Sequence, residues 1–295
     1  MIQKPLGKTQ VTLPEVGLGT WQYNGGVAPL RKGLELGALL IDTAESYGSE
    51  DVVGQAIKGI RDKVFLATKV SPAHFRYADL LKAADQSLRR LAVDHIDLYQ
   101  LHCPNFLVPM AETLEAMEKL VEAGKVRFLG VSNFSVGQLK KAQQCLRKNR
   151  IVSNQVRYSL VDRTIEPRLL PYCQANGLTV IAYSPLARSL RRILDGDPRS
   201  CLARIAKATG KTAAQIAINW CLCKRPVVAI PKGSSPEHVA QNCGASDWRL
   251  SAEDIKTLDE NIHFRRQSHL ETIMRFYGIS GLLRLVRGAV RRSGT

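Results

Sequence analysis

No apolar run in the 295 residues approaches the roughly 20 that a membrane-spanning helix needs, and Met1 to Leu13 lacks the apolar stretch of a signal peptide. Both absences lead us to expect a cytoplasmic protein. Cysteine pairing is also missing. The seven cysteines are odd in number and scattered, with no Cys-x-x-Cys, so neither a disulfide framework nor a metal site is signalled. Acidic residues are in short supply, 26 against 42 Lys and Arg, which leaves a net charge of +16. Seven of the arginines, with a single glutamate, lie in residues 263–295. Such an excess favours encounter with anions but does not name a chemistry, and no nucleic-acid-binding module accompanies it. No linker rich in Pro, Gly or Ser divides the chain. At 45% hydrophobic and 23% charged residues, it has the composition of an ordinary folded protein.

What is present is an alternation. Leu39–Ala44, Val64–Val70, Ile96–His102, Val126–Asn133, Ile151–Ser159, Leu178–Pro185 and Val227–Gly233 read as buried strands, with Glu15–Thr20 as an eighth. Several are almost continuously apolar before a polar end, as expected of parallel strands covered on both faces. Helical patterns fall between them. Leu114, Met117 and Val121 share one face, and Gly37, Gly124 and Gly177 stand where a helix must stop before a strand. Ser135 with Gln138, and less clearly Ser251 with Asp254, read as helix-opening capping pairs. Eight strand–helix units in one run predict an α/β fold, a closed (β/α)8 TIM barrel, with an open doubly wound sheet as the competitor. Ile2–Pro14 has the look of a hairpin turning near Gly7 and plugging the barrel floor.

In such a barrel the working groups project from the C-terminal ends of the strands. Polar residues recur just there: Asp42, Tyr47, Lys69, His102, Ser132, Asn133, Gln155, Tyr183 and Lys232. From Asp42 to Tyr183 the steps through Lys69, His102, Asn133 and Gln155 are 27, 33, 31, 22 and 28 residues, each about one βα unit. Taken singly, each has an ordinary structural reading as a cap, a core edge or a solvated loop residue. The set converging on one mouth carries the argument.

The run Ile41-Asp42-Thr43-Ala44-Glu45-Ser46-Tyr47-Gly48, with Thr68-Lys69, Leu101-His102, Gly130-Val131-Ser132-Asn133, Asn154-Gln155 and Tyr183-Ser184-Pro185, resembles the aldo-keto reductase superfamily. Gly17-Leu18-Gly19-Thr20-Trp21 agrees, and the likeness covers residues 1–262, most closely to the bacterial-type branches. It implies a reductase barrel over 1–262 followed by a basic helical segment over 263–295. It also implies a catalytic tetrad of Asp42, Tyr47, Lys69 and His102. The chemistry is consistent: reducing a carbonyl builds negative charge on oxygen, which a tyrosine proton can quench. A nearby Lys69 ammonium lowers the phenol pKa, and Asp42 holds that ammonium in place.

No side chain supplies a hydride, so the resemblance implies a nicotinamide dinucleotide. NADPH is the expected form and NADH the alternative. Gly19, Thr20, Trp21, Ser132, Asn133, Gln155, Tyr183, Ser184 and Leu186 are implied around its nicotinamide half. Lys232, Ser234, His238, Gln241 and Asn242 are implied around its adenosine half. Ser235 followed by Pro236 would open a helix whose N-terminus suits a phosphate. His238 stands where many relatives have Arg, and Gly233 where many have Ser. Gly17-x-Gly19 lacks the third glycine of a Rossmann fingerprint. Trp21 and Tyr23 are candidate walls for a small carbonyl substrate. Arg188, Arg191 and Arg192 are candidate anion receivers, pyrophosphate clamps or solvated charges. Phe276–Arg292 reads as a helix with Ile279, Leu282, Leu283, Val286 and Val290 opposite Arg284, Arg287 and Arg291. It would pack on the barrel, cover the mouth, or touch a partner or an anionic membrane. The expected activity is reduction of aldehydes or ketones to alcohols. The alternative is a cofactor-binding redox sensor that docks through its basic tail.

Overall fold

The computed structural model describes residues 1–266 and Glu271. The chain opens with an antiparallel hairpin, β1 (Gln3–Pro5) against β2 (Thr12–Pro14), with Lys4 opposite Leu13. Eight parallel strands follow: β3 (Leu18–Gly19), β4 (Leu40–Asp42), β5 (Phe65–Val70), β6 (Ile96–Leu101), β7 (Val126–Ser132), β8 (Ile151–Arg157), β9 (Thr179–Tyr183) and β10 (Val227–Ile230). They pair in sequence order. The seam is drawn together by a parallel bridge from Val16 to Ala229. There the Gly17 N–H donates to the Ala229 carbonyl at 2.8 Å and the Gly19 N–H to that of Pro231 at 3.1 Å. This closure answers the choice between a barrel and an open sheet.

Helices wrap the outside: α1 (Val27–Glu35), α2 (Glu50–Ile57), α3 (Tyr77–Leu91), α4 (Met110–Glu122), α5 (Val136–Cys145) and α6 (Leu169–Asn176). The connection from β9 to β10 carries three, α7 (Leu190–Asp195), α8 (Cys201–Thr209) and α9 (Ala213–Leu222). Then come α10 (Pro236–Cys243) and α11 (Ala252–Asn261). The caps follow the sequence. Ser135 and Gln138 make both bonds of a capping box on α5, and Gly124 and Gly177 take positive φ, 71° and 61°, where L side chains are strained.

Every expected strand is present, but several end earlier than their apolar runs. Strand β9 stops at Tyr183 because Ser184 turns into the left-handed region (φ 53°), and β7 stops at Ser132 because Asn133 does the same (φ 62°). After β10, Pro231 has no N–H to extend the ladder. The polar ends thus leave the sheet and become the mouth. At the other end the hairpin closes the floor. Leu6 and Leu13, both fully buried, pack inside the barrel with Leu40, Leu98, Ile181 and Val228.

After α11 the chain passes the end of α7 and the loop after β8, where the His263 N–H donates to the Gly196 carbonyl at 2.7 Å and that of Arg265 to Val161 at 3.1 Å. The helix expected over Phe276–Arg292 lies outside the described residues. No helix among the described residues is long and apolar enough to cross a membrane.

Candidate active site

Strand register gathers the four tetrad candidates at one end of the barrel. Asp42 ends β4, Lys69 sits near the end of β5, His102 follows β6, and Tyr47 lies in the short 3-10 turn Glu45–Tyr47 after β4. Lys69 is fully buried. Its Nζ donates to Asp42 Oδ2 at 2.6 Å and to the Thr43 carbonyl at 2.8 Å, and lies 4.8 Å from the centre of the Tyr47 ring. The Tyr47 hydroxyl and His102 Nε2 are 3.3 Å apart, their rings meeting edge to face. Asp42, Tyr47 and His102 face a cavity of about 880 Å³, with Lys69 behind them.

Burial and charge compete at each of these groups. Burial opposes the Lys69 ammonium, but the adjacent Asp42 carboxylate and Tyr47 more than offset it, and the pKa rises above its ordinary value. For the Tyr47 phenol, burial wins in the other sense. Desolvation pushes its pKa up more than Lys69 pulls it down, so the net direction is opposite to the lowering that the sequence suggested. The phenol is therefore protonated at neutral pH. His102 is driven down to about 3, first by burial and then by the Lys69 charge, and is a neutral imidazole.

The amides form a second layer. Asn133 spends one N–H on Ser132 Oγ (2.8 Å) and one on the His102 carbonyl (3.3 Å), and its Oδ1 accepts from the Tyr183 hydroxyl at 2.9 Å. The Gln155 Nε2 donates to Asp42 Oδ1 at 2.7 Å and to Gln100 Oε1 at 3.3 Å. Both N–H groups being spent, Gln155 has only its carbonyl oxygen to offer a molecule in the cavity. A ligand bearing an N–H there, such as a carboxamide, fits that donor–acceptor pattern.

The seam supplies the rest of the wall. Ser235 caps α10, accepting from the His238 N–H at 3.3 Å, with Pro236 in the first turn. That N-terminus opens beside Lys232, whose Nζ donates to the Gln22 carbonyl at 3.1 Å. Arg188 lies over the Trp21 ring, 4.7 Å from its centre. Every residue expected around a dinucleotide lines the cavity except Ser234. The Ser234 carbonyl instead packs on the loop after β3, where a Cβ at Gly25 would come within 2.7 Å of it. Of the other candidates, Arg188 lines the cavity, while Tyr23, Arg191 and Arg192 do not. Sequence reasoning missed Gln22, Ser46, Ser189 and Ala214 in the wall, and Gln100 behind it. Gln100 left one signal, an amide in the otherwise apolar end of the strand Ile96–Leu101.

Comparison with known proteins adds an independent line. The model of the aldo/keto reductase family matches residues 15–263. Methylglyoxal reductase YeaE of Escherichia coli is 42% identical over 261 residues, covering 85% of this chain and 91% of that protein. A glyoxal reductase of Bacillus subtilis is 33% identical over 255 residues, covering 84% and 89%. An aldo-keto reductase from Klebsiella pneumoniae, solved in complex with NADPH, superposes with a TM-score of 0.83 at 42% identity, over 90% of this chain and 98% of that one. With a closed barrel, a polar mouth and these matches over most of its length, the chain belongs to the aldo/keto reductase family of oxidoreductases.

Proposed function

We propose that this enzyme reduces aldehydes or ketones to alcohols with NADPH, and that Tyr47 gives the proton. The observation that carries the reading is the placement of Tyr47: its hydroxyl reaches the cavity wall beside neutral His102, with the buried Lys69 ammonium at its back. The carbonyls to try first are small 2-oxoaldehydes and dialdehydes, since two relatives are named for methylglyoxal and glyoxal.

NADPH supplies the hydride that no side chain can provide. Its carboxamide would meet the Gln155 oxygen, with Ser132 and Asn133 beside it and the Tyr183 ring as the stacking surface. Gly19, Thr20, Trp21, Ser184 and Leu186 would border the nicotinamide half. The adenosine phosphates would lie against the α10 N-terminus with Lys232, His238, Gln241 and Asn242. As the carbonyl is reduced, its oxygen would take the Tyr47 proton, and Lys69 would hold the phenolate left behind until solvent returns a proton. Asp42 keeps Lys69 charged and in place. His102, neutral throughout, orients the carbonyl oxygen toward the phenol.

The test is Tyr47→Phe. Turnover of methylglyoxal, followed by NADPH oxidation, should fall on the order of 10³-fold, while the NADPH dissociation constant moves by less than about twofold. A variant that reduces the aldehyde as fast as the parent removes Tyr47 from the role of acid.

A further inference from the structure

Gln100 does not line the cavity, and its side chain hydrogen-bonds to Asp42 and Gln155, yet its position is closely specified. It lies on β6 directly beside Lys69 of β5, and it is fully buried. Its Nε2 donates to Asp42 Oδ1 at 3.1 Å, and its Oε1 accepts from Gln155. On its other side β7 makes room. A Cβ at Gly130 would sit 2.9 Å from Gln100 Cγ and 2.8 Å from Ser153 Oγ, closer than side-chain carbons pack.

The polarity of this arrangement is not free. An ionised carboxylate only accepts, so both amides must turn their N–H groups to Asp42 Oδ1, and the Gln100 oxygen is left to take the second N–H of Gln155. The three side chains close a ring around one carboxylate oxygen, while Lys69 holds the other. From this ring we infer that Gln100 is a positioning residue for proton transfer, drawing off part of the Asp42 charge and thereby setting the acidity of Tyr47 through the carboxylate it binds. The inference rests on the role proposed above for Tyr47.

The groups facing Tyr47 are Lys69 from β5, Asp42 from β4, His102 after β6 and Tyr183 from β9. Of these, Asp42 is the one that disfavours the phenolate as an anion at neutral pH, and Lys69 the one that favours it. With the Gln100 donor gone, more of the Asp42 charge is felt at Tyr47, and the phenolate becomes harder to form.

Two variants test this. Gln100→Met keeps the length and removes the donor. The pH at which alcohol oxidation switches on, and the ultraviolet phenolate titration of the cofactor-free protein with Tyr47→Phe as the blank, should both move up by about half to one pH unit. Gln100→Glu, while neutral, keeps an O–H for Asp42 and an oxygen for Gln155. It should run within about threefold of the parent near pH 6 and fall at least about tenfold below it by pH 9, once two carboxylates confront each other. If the Gln100→Met profiles superimpose on the parent and Gln100→Glu tracks it at every pH, Gln100 only fills space and the inference is overturned. The phenolate titration needs no turnover. It decides Gln100 even if the parent protein reduces no carbonyl, an outcome that would count against the reading of Tyr47 instead.

Discussion

Two lysines, Lys69 fully buried and Lys4 partly so, stand at opposite ends of this barrel, each with a carboxylate nearby, and their fates differ. Lys69, at the mouth, touches Asp42 at 2.6 Å and is held above its ordinary pKa. Lys4, at the floor, is 3.7 Å from Glu15, and burial takes its pKa down to about 8. The floor carboxylate is shared: Arg249 reaches Glu15 Oε2 at 2.5 Å and Ser246 donates to Oε1 at 2.7 Å. Lys4 gives its N–H groups mainly to the Leu222 and Val227 carbonyls, at 2.5 and 2.6 Å. Neutral carbonyls satisfy an amine as well as an ammonium, whereas a carboxylate in contact favours the charge. Burial alone therefore does not set how firmly a lysine holds its proton; a counter-ion at contact distance that no second cation shares does.

The largest effect is expected from removing each lysine in turn. Lys69→Met leaves Asp42 buried without its counter-ion, and unfolding free energy should fall by about 3–5 kcal/mol, along with most of the activity. Lys4→Met leaves Glu15 with Arg249 and Ser246, and near pH 7 the loss should stay within about 1 kcal/mol, the hydrogen bonds given up being offset by relief of a desolvated charge. Chemical denaturation of both variants measures the pair. Equal losses would remove the distinction.

A finer test uses pH. Between about 8 and 10.5 the unfolded chain still protonates Lys4 while the folded protein does not, so stability rises through that window on account of this group. Relative to Lys4→Met, the parent should gain up to about 3 kcal/mol from pH 8 to 10.5. Lys69 acts in the other sense. Its raised pKa stabilises the fold fully below the unfolded value of about 10.5, and that contribution is lost as pH rises through the folded value. The smallest expected effect is none at all. With its pKa near 3, His102 should show imidazole resonances that do not move between about pH 5 and 8, a range in which an ordinary histidine titrates near 6.5. A His102 titration near 6.5 would make it a second candidate acid beside Tyr47.

Much of the molecule could be read before any coordinates. Strands β4 to β10 are short runs of β-branched and leucine residues that have no other economical place than a sheet covered on both sides, and their polar ends marked the mouth. Ser135 and Gln138 announced a helix start because their hydrogen bonds are local, closed within four residues. Gln100 was not legible in the same way. Its partners Asp42 and Gln155 stand 58 and 55 residues away, and nothing in Ile96–Leu101 says which way an amide faces. The early ends of β7 and β9, where Asn133 and Ser184 enter the left-handed region, were also missed.

The order of residues determined the strand–helix alternation, the floor hairpin and the kinds of side chain brought to the mouth, because periodicity, caps and turns are settled by near neighbours. Only the tertiary structure decided how charge is distributed among them. How firmly Lys69 and Lys4 hold their protons, and whether the Tyr47 pKa moves up or down, depends on desolvation and on contacts of a few ångströms between elements, and those exist only once the barrel is closed.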